Sequence, residues 1–506
     1  MKNIMIVGGG SAGWMTAATL IHEFPNKSIT LIESPNIQTI GVGESTLQQI
    51  RAWTTYLGIE DKDFVPFCDA TFKQSIKFTD FYKKGESFHY PFGDPVLENT
   101  TNGFNDWWFK KILFPKTPYS DFADSMWSVM AFINQNKMSF DSLPGWDFKK
   151  SAAFHFDAIK FGLWLKDHFC LPKGVKHIKE TNDTIEQNEK GIVSLNGHHK
   201  ADLFIDCTGV ESLLLEKTLG IPFIFYSHLM SNTTAWATKI PYKENKRYGY
   251  TNCTAIDNGW IWQVPLWSRL GCGYVYSDQF IDDDNALKQF QNWLGTEELE
   301  FRKIPMKVGI YERLWVKNVC AIGMAAGFIE PLESTGLFTI HEFLHGLVRE
   351  LKREKVSQWD KDNFTFGCKT LFGEMAEFVG LHYALSHRDD TEYWKHLFNK
   401  EWSDCFINPT PTFIQGFLKM ANDRRLVYNW NSPNMYGVSA IAAGMHYGPT
   451  DKTTLMRLNY YNEDQLKQDI LPIVDALDQK QNEWKKSVNK SLSVYDFLKE
   501  NFYETS

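Results

Sequence analysis

The sequence predicts an α/β protein in which a parallel sheet with covering helices is followed by a mostly helical module. Three observations predict it. "KNIMIVGGGSAGWMTAATLIHEF" reads as a buried strand over 3–7, a glycine turn and a helix from about Ser11. Two later apolar strands, in "DLFIDCTGVES" (202–212) and "WVKNVCAIGMAAG" (315–327), also end in glycine turns. Residues 340–352, 368–387 and 464–503 then carry helical periodicity with charged faces. A chain of 506 residues suits a large two-part unit, divided here at 1–350 and 351–506 with the second part packed on the first.

Composition limits the function. Hydrophobic residues at 43% and charged residues at 23% describe a globular chain. A net charge of -8 argues against nucleic acid as a partner. The aromatic share of 15% suits aromatic-lined cavities as well as a Phe-rich core. Eight cysteines without a C-x-x-C pair fit reduced thiols and a cytoplasmic protein. The apolar N-terminus loosely resembles a signal peptide, but three successive glycines would break its helix. No other run reaches the roughly 18 apolar residues a membrane span needs, so no membrane association is expected.

The first element carries the first chemistry. Gly8-x-Gly10-x-x-Gly13 has a strand before it and a helix after it, as a dinucleotide fingerprint requires. The first glycine makes the turn, the second admits a pyrophosphate to the backbone, and the third lets helix pack on strand. Gly8, Gly9, Gly10, Ser11, Ala12 and Gly13 are thus the expected cradle. "SITLIES" supplies the next strand, and Glu33 at its end is placed for the ribose hydroxyls. Asp206-x-x-Gly209 ends a further strand in the manner of FAD enzymes. The wide spacing of the three glycine turns suits an FAD-binding Rossmann-like (GR2/PHBH-like) module with long insertions. There is no second G-x-G-x-x-G for a nicotinamide.

Taken together, the motifs resemble the flavin-dependent tryptophan halogenases. "WIWQVP" (260–265) is similar to that family's W-x-W-x-I-P, with Val264 in place of Ile. Phe328-x-x-Pro331-x-x-Ser334-x-Gly336 matches the pattern separating halogenases from ordinary flavin monooxygenases. "GVGEST" (41–46), "ATFKQSIKF" (70–78), "HFDA" (155–158) and "CGYVYS" (272–277) follow in family order. The resemblance implies FADH2 as cofactor, supplied by a separate flavin reductase, with O2, halide and a small aromatic substrate as reactants. It leaves a homo-oligomer open. It places the catalytic lysine on Lys73, with Lys77 second, and the catalytic glutamate on Glu333. It places halide contacts on Ser334, Thr335 and Gly336, and further flavin contacts on Val42, Ser45, Met324 and Leu337. Trp260 and Trp262 become a wall between flavin and substrate, and Tyr90 and Phe92 touch the substrate ring.

The residues suit these roles on their own chemistry. A Ser-Thr-Gly turn offers fixed N–H donors to an anion. Lysine can polarise or capture an oxidant, and a carboxylate can stabilise a cationic ring and take its proton. The blander readings are a lysine in an alternating strand, a helix N-terminal charge at Glu333 and core packing for the tryptophans. His341-Glu342-Phe343-Leu344-His345 spells H-E-x-x-H, yet no further ligand follows at zinc-protease spacing, so no metal is expected. Around 423–447 the Glu-rich segment with which tryptophan-specific members grip the amino acid looks shortened. An indole, phenol or other electron-rich arene is therefore expected ahead of free tryptophan. An FAD hydroxylase and a non-catalytic flavin protein are the competing readings.

Overall fold

A computed structural model describes residues 1–36, 43–98, 103–402, 405, 436–448 and 463–504. Two sheets organise it. The first has six strands in the order Trp315–Val316, Val319–Ala321, Leu203–Asp206, Asn3–Val7, Ser28–Glu33 and Lys176–Lys179, parallel except for Trp315–Val316. Its central strands are apolar throughout because helices cover the sheet: Ile4 to Val7 and Leu203 to Ile205 are all buried. The helix Ser11–Glu23 leaves the glycine turn and packs back on this sheet, burying Trp14, Met15, Ala17, Ala18 and Leu20.

The second sheet has seven strands in the order Arg302–Pro305, Thr234–Pro241, Arg269–Tyr276, Gly259–Pro265, Tyr250–Ile256, Ser75–Thr79 and Ser87–Pro91. A three-stranded sheet, Glu44–Ser45, Ala153–Phe156 and Thr71–Lys73, adjoins it. Lys73 therefore closes the small sheet and Ser75 opens the large one. Gln74 forms the corner, its N–H donating to Gly249 O and its carbonyl accepting from Phe92 N.

The helices Thr335–Leu351 and Gln358–Ala384 lie side by side after the strand Gly327–Phe328. The second starts ten residues before the expected 368. Ser357 and Asp360 form a capping box there, which stabilises a first turn whose polar sequence gave no periodic signal. The expected helix over 464–503 is interrupted. Glu463–Ser487 ends, and Leu492–Ser493 pairs with Lys137–Met138 before Val494–Leu498 begins. Tyr503 then stacks on Trp267 and donates to Val65 O and Ala70 O, tying the C-terminal segment to the first half of the chain. Among the described residues no helix is long and apolar enough to cross a membrane.

Candidate active site

The glycine turn has the shape a dinucleotide needs. Gly8 sits at φ +114°, and a Cβ there would meet Cys207 O at 2.3 Å. A Cβ on Gly13 would meet Gly8 O at 1.9 Å, so helix and turn touch backbone to backbone. Gly9 lies against Glu33: a methyl there would come within 1.6 Å of Oε2. Glu33 is held by His177, with Nε2 2.7 Å from Oε1. The helix beginning at Ser11 has no side-chain cap, which leaves its first N–H groups available to a phosphate. Ser11 Oγ itself donates to Ala158 O.

Other expected cofactor residues fare differently. Asp206 is buried and saturated: Oδ1 accepts from Thr208 N and Oγ1, and Oδ2 from Leu214 N and Leu215 N. Its geometry supports a clamp on the turn that carries Gly209, and not the direct cofactor contact expected from the sequence. Gly209 (φ +68°) faces the half-exposed Met324. Ala12 packs beside Gly323, and Leu337 is buried in the first turn of its helix. Val42 lies outside the described residues.

The turn before that helix is unusual for a non-glycine. Ser334 adopts φ +60°, ψ +36°, in the left-handed region, and its hydroxyl does not cap the helix. That hydroxyl accepts from Lys73 Nζ at 2.9 Å and donates to Ser45 Oγ at 3.0 Å. The N–H groups of the first turn, Thr335 and Gly336 included, are thus left without a side-chain acceptor. Among the described residues, a Cβ on Gly336 would meet no atom of another segment within 4 Å.

Lys73 is fully buried at the corner between the sheets. Its Nζ also donates to Thr46 O at 3.0 Å and lies 4.9 Å from the Phe92 ring centre. Burial pushes the ammonium down to about 7, opposed by the nearby Glu333 carboxylate. Lys77, the second choice, is half-buried on the larger sheet, opposite Asn252 and His89. Glu333 is 1% exposed, and among the described residues no aligned hydrogen bond reaches either carboxylate oxygen. His382 Nε2 lies 2.8 Å from Oε1 but off the hydrogen-bond direction.

Aromatic rings surround this pair. Tyr90 packs edge-on to Phe92 and Phe378, with centroids 5.8 and 6.0 Å apart. The Tyr90 phenol is pushed up by burial and by the Glu333 charge. Trp260 and Trp262 stand on one face of their strand, rings 6.2 Å apart. Trp260 Nε1 donates to Glu330 Oε2 at 3.3 Å, and the same oxygen accepts from Tyr383 Oη and Asn232 Nδ2. Trp262 lies flat on Gly273, where a Cβ would meet the indole at 2.1 Å.

Among the described residues the H-E-x-x-H side chains form no group at ligand spacing. Buried His341 faces Glu342, Nδ1 to Oε1 3.1 Å, and His345 lies edge-on to Tyr56. Among the described residues only Glu180, His198 and His199, on the outer surface, group at ligand spacing.

The family model described as tryptophan halogenase matches residues 3–457. The chain belongs to that family. Tryptophan halogenase relatives include the tryptophan 6-halogenase SttH of Streptomyces toxytricini, 32% identical over 78% of this chain and 80% of its own. The tryptophan 7-halogenase RebH of Lentzea aerocolonigenes is 30% identical, over 87% and 89%. Among solved structures, VirX1 in its apo form superposes with a TM-score of 0.91 at 34% identity, over 99% of this chain and 100% of its own. The protein is accordingly a flavin-dependent halogenase, with FADH2 as its cofactor. The tryptophan halogenase pattern did not single out His382, Thr46, Thr251 or Glu330. "HFDA" was legible as a family segment, but nothing in it announced where His155 would point.

Proposed function

We propose that this halogenase acts on an electron-rich arene held between Lys73 and Glu333 over the rings of Tyr90 and Phe92. The observation carrying this reading is the Glu333 carboxylate, buried beside a buried lysine with no aligned donor among the described residues. Leaving a charged group so costs about 1–3 kcal/mol or more, a cost that a substrate's N–H or a cationic ring would offset. FADH2, held at the glycine turn and Glu33, supplies hypohalous acid from O2 and halide when bound. The uncapped N–H groups of Thr335 and Gly336 bind the halide, the Ser334 N–H being already given to Pro331 O, and Trp260 and Trp262 hold the arene away from the flavin. Lys73, with two N–H groups anchored on Thr46 O and Ser334 Oγ, presents its remaining position to the oxidant. Glu333 stabilises the ring cation and takes its proton.

The shortened sequence around 423–447 supports an indole- or phenol-type substrate ahead of free tryptophan; its residues 423–435 lie outside the described residues. Free tryptophan is the second reading, favoured by the names of SttH and RebH. A separate reductase supplies the electrons, because one dinucleotide fingerprint is present. The test is an incubation with FADH2, O2, mixed halides and a panel of indoles, phenols and tryptophan, read by mass spectrometry. Hydroxylated products alone would favour the monooxygenase, and a clear kcat/KM preference for tryptophan would overturn the substrate reading. Rapid bleaching of bound FAD by NADH alone would overturn the need for a reductase.

A further inference from the structure

Lys73 is joined to a second buried titratable group through a continuous line of hydroxyls. Its Nζ donates to Ser334 Oγ (2.9 Å) and Ser334 Oγ to Ser45 Oγ (3.0 Å). Ser45 Oγ then meets Thr251 Oγ1 at 2.7 Å, and Thr251 Oγ1 meets His155 Nε2 at 2.9 Å. Beyond the ring, His155 Nδ1 lies 3.1 Å from Thr71 Oγ1, which donates to Pro265 O at 2.5 Å.

The far end fixes every proton in the line. A carbonyl only accepts, so Thr71 spends its one proton on Pro265 O, and His155 Nδ1 must be the N–H. Full burial and the Lys73 charge drive the His155 imidazole well below its ordinary range, so it is neutral and Nε2 is a bare lone pair. Thr251 must then donate to Nε2, Ser45 to Thr251, and Ser334 to Ser45. All the bonds run one way, from the lysine to the histidine. Such an order suits a relay: a proton entering at Lys73 emerges at Nε2 while each hydroxyl exchanges one O–H for another. Five of the six side chains, Lys73, Ser334, Thr251, His155 and Thr71, are buried.

We propose that His155 is a transient proton acceptor for Lys73, and that Ser334, Ser45 and Thr251 carry the proton between them. In the step, one N–H of the Lys73 ammonium breaks, four protons each move one place, and an N–H forms at His155 Nε2. The products are a neutral amine and an imidazolium, with no net change in charge; burial disfavours the charged ring, so it forms in passing and is not a resting state. The amine can then take halogen from hypohalous acid with water as the by-product, and the proton returns afterwards. The inference rests on the role proposed above for Lys73. Around the two ends the titratable and charged groups are Glu333 and Cys253 beside Lys73, Glu44 on the strand paired with that of His155, and the Asp157–Arg269 pair next to it. Glu44, pushed up to about 7 by burial, is the group whose titration the controls must separate.

Thr251→Val removes one hydroxyl at nearly constant shape, and Thr251→Ser keeps it. With FADH2, halide and arene supplied, the Val variant is expected to re-oxidise flavin and melt like the parent. The acid limb of its product–pH profile should move up by about one unit, a roughly tenfold loss of product at neutral pH that alkali restores. Thr251→Ser should restore the parent profile. An unchanged profile in the Val variant, or equal loss in both variants at every pH, would overturn the proposal. A second readout needs no turnover. In protein labelled with 15N-histidine, with His155→Gln assigning the signal, His155 should be the Nδ1–H tautomer, and an Nε2–H tautomer would overturn the relay. If the parent halogenates no arene, the role of Lys73 has failed, and the tautomer still decides whether the line is ordered as described.

Discussion

His382 Nε2 and Glu333 Oε1 lie 2.8 Å apart, and neither residue is more than 1% exposed. The other ring nitrogen, Nδ1, is 3.1 Å from Phe378 O and must carry its proton, since a carbonyl only accepts. Nε2 then faces the carboxylate at contact distance but off the hydrogen-bond direction. If Glu333 removes the arene proton as proposed, His382 is the neighbour beside it. His382→Leu should lower halogenated product by roughly 10- to 100-fold, the scale of losing general-base support. Combined with Glu333→Gln, it should add little further loss. Additive losses in that double variant would show that the two act separately.

Lys73→Ala should retain FAD binding and flavin re-oxidation yet lose nearly all halogenated product. Glu333→Gln keeps the shape and removes the charge, and should slow product formation by roughly 10- to 1000-fold. Single-turnover mixing with a trap for hypohalous acid distinguishes the two stages. Parent-level halogenation by Lys73→Ala would move the role elsewhere, with Lys77 first in line.

Cofactor affinity should depend on the contact between Gly9 and Glu33. Gly9→Ala drives a methyl into Oε2 and must displace the carboxylate. Glu33→Ala removes it, leaving His177 without its partner. Each should raise the Kd for FAD by about 10- to 100-fold, the value of one charge-assisted hydrogen bond. Fluorescence quenching on titration with FAD checks this, and an unchanged Kd in both would take Glu33 out of the site.

Trp262 depends on the absence of a side chain at position 273. Gly273→Ala places a carbon 2.1 Å from the indole and should destabilise the protein by about 1–3 kcal/mol, read as a lower Tm. If the wall has the role proposed, the ratio of hydroxylated to halogenated product should also rise.

Much of this was legible in the sequence where chemistry depends on neighbours in the chain. The glycine turn, Glu33 and the Ser334–Gly336 turn are local constellations, and the local geometry follows from them. Asp206 shows the limit: a strand-end carboxylate looks the same whether it faces a ribose or caps the following turn, and only the placement of Leu214 and Leu215 decides. His382 and His155 were invisible for a stronger reason. Each is separated from its proposed partner by a gap in sequence, 49 residues to Glu333 and 82 to Lys73, that no periodicity spans. The helix containing His382 was recognised only from 368 because its first turns are held by a capping box and not by an apolar stripe.

The corner at Gln74 has a consequence for how such an enzyme can diversify. Lys73 ends one sheet, whereas Tyr90 belongs to the other, and Gln74 binds Phe92 through its backbone alone. Side chains on the arene-facing rim can therefore be exchanged without shifting the scaffold that carries the lysine. On the roles proposed for these residues, a lineage, or a laboratory library, can explore new ring systems at Tyr90 and Phe378 while inheriting the lysine-bearing half intact.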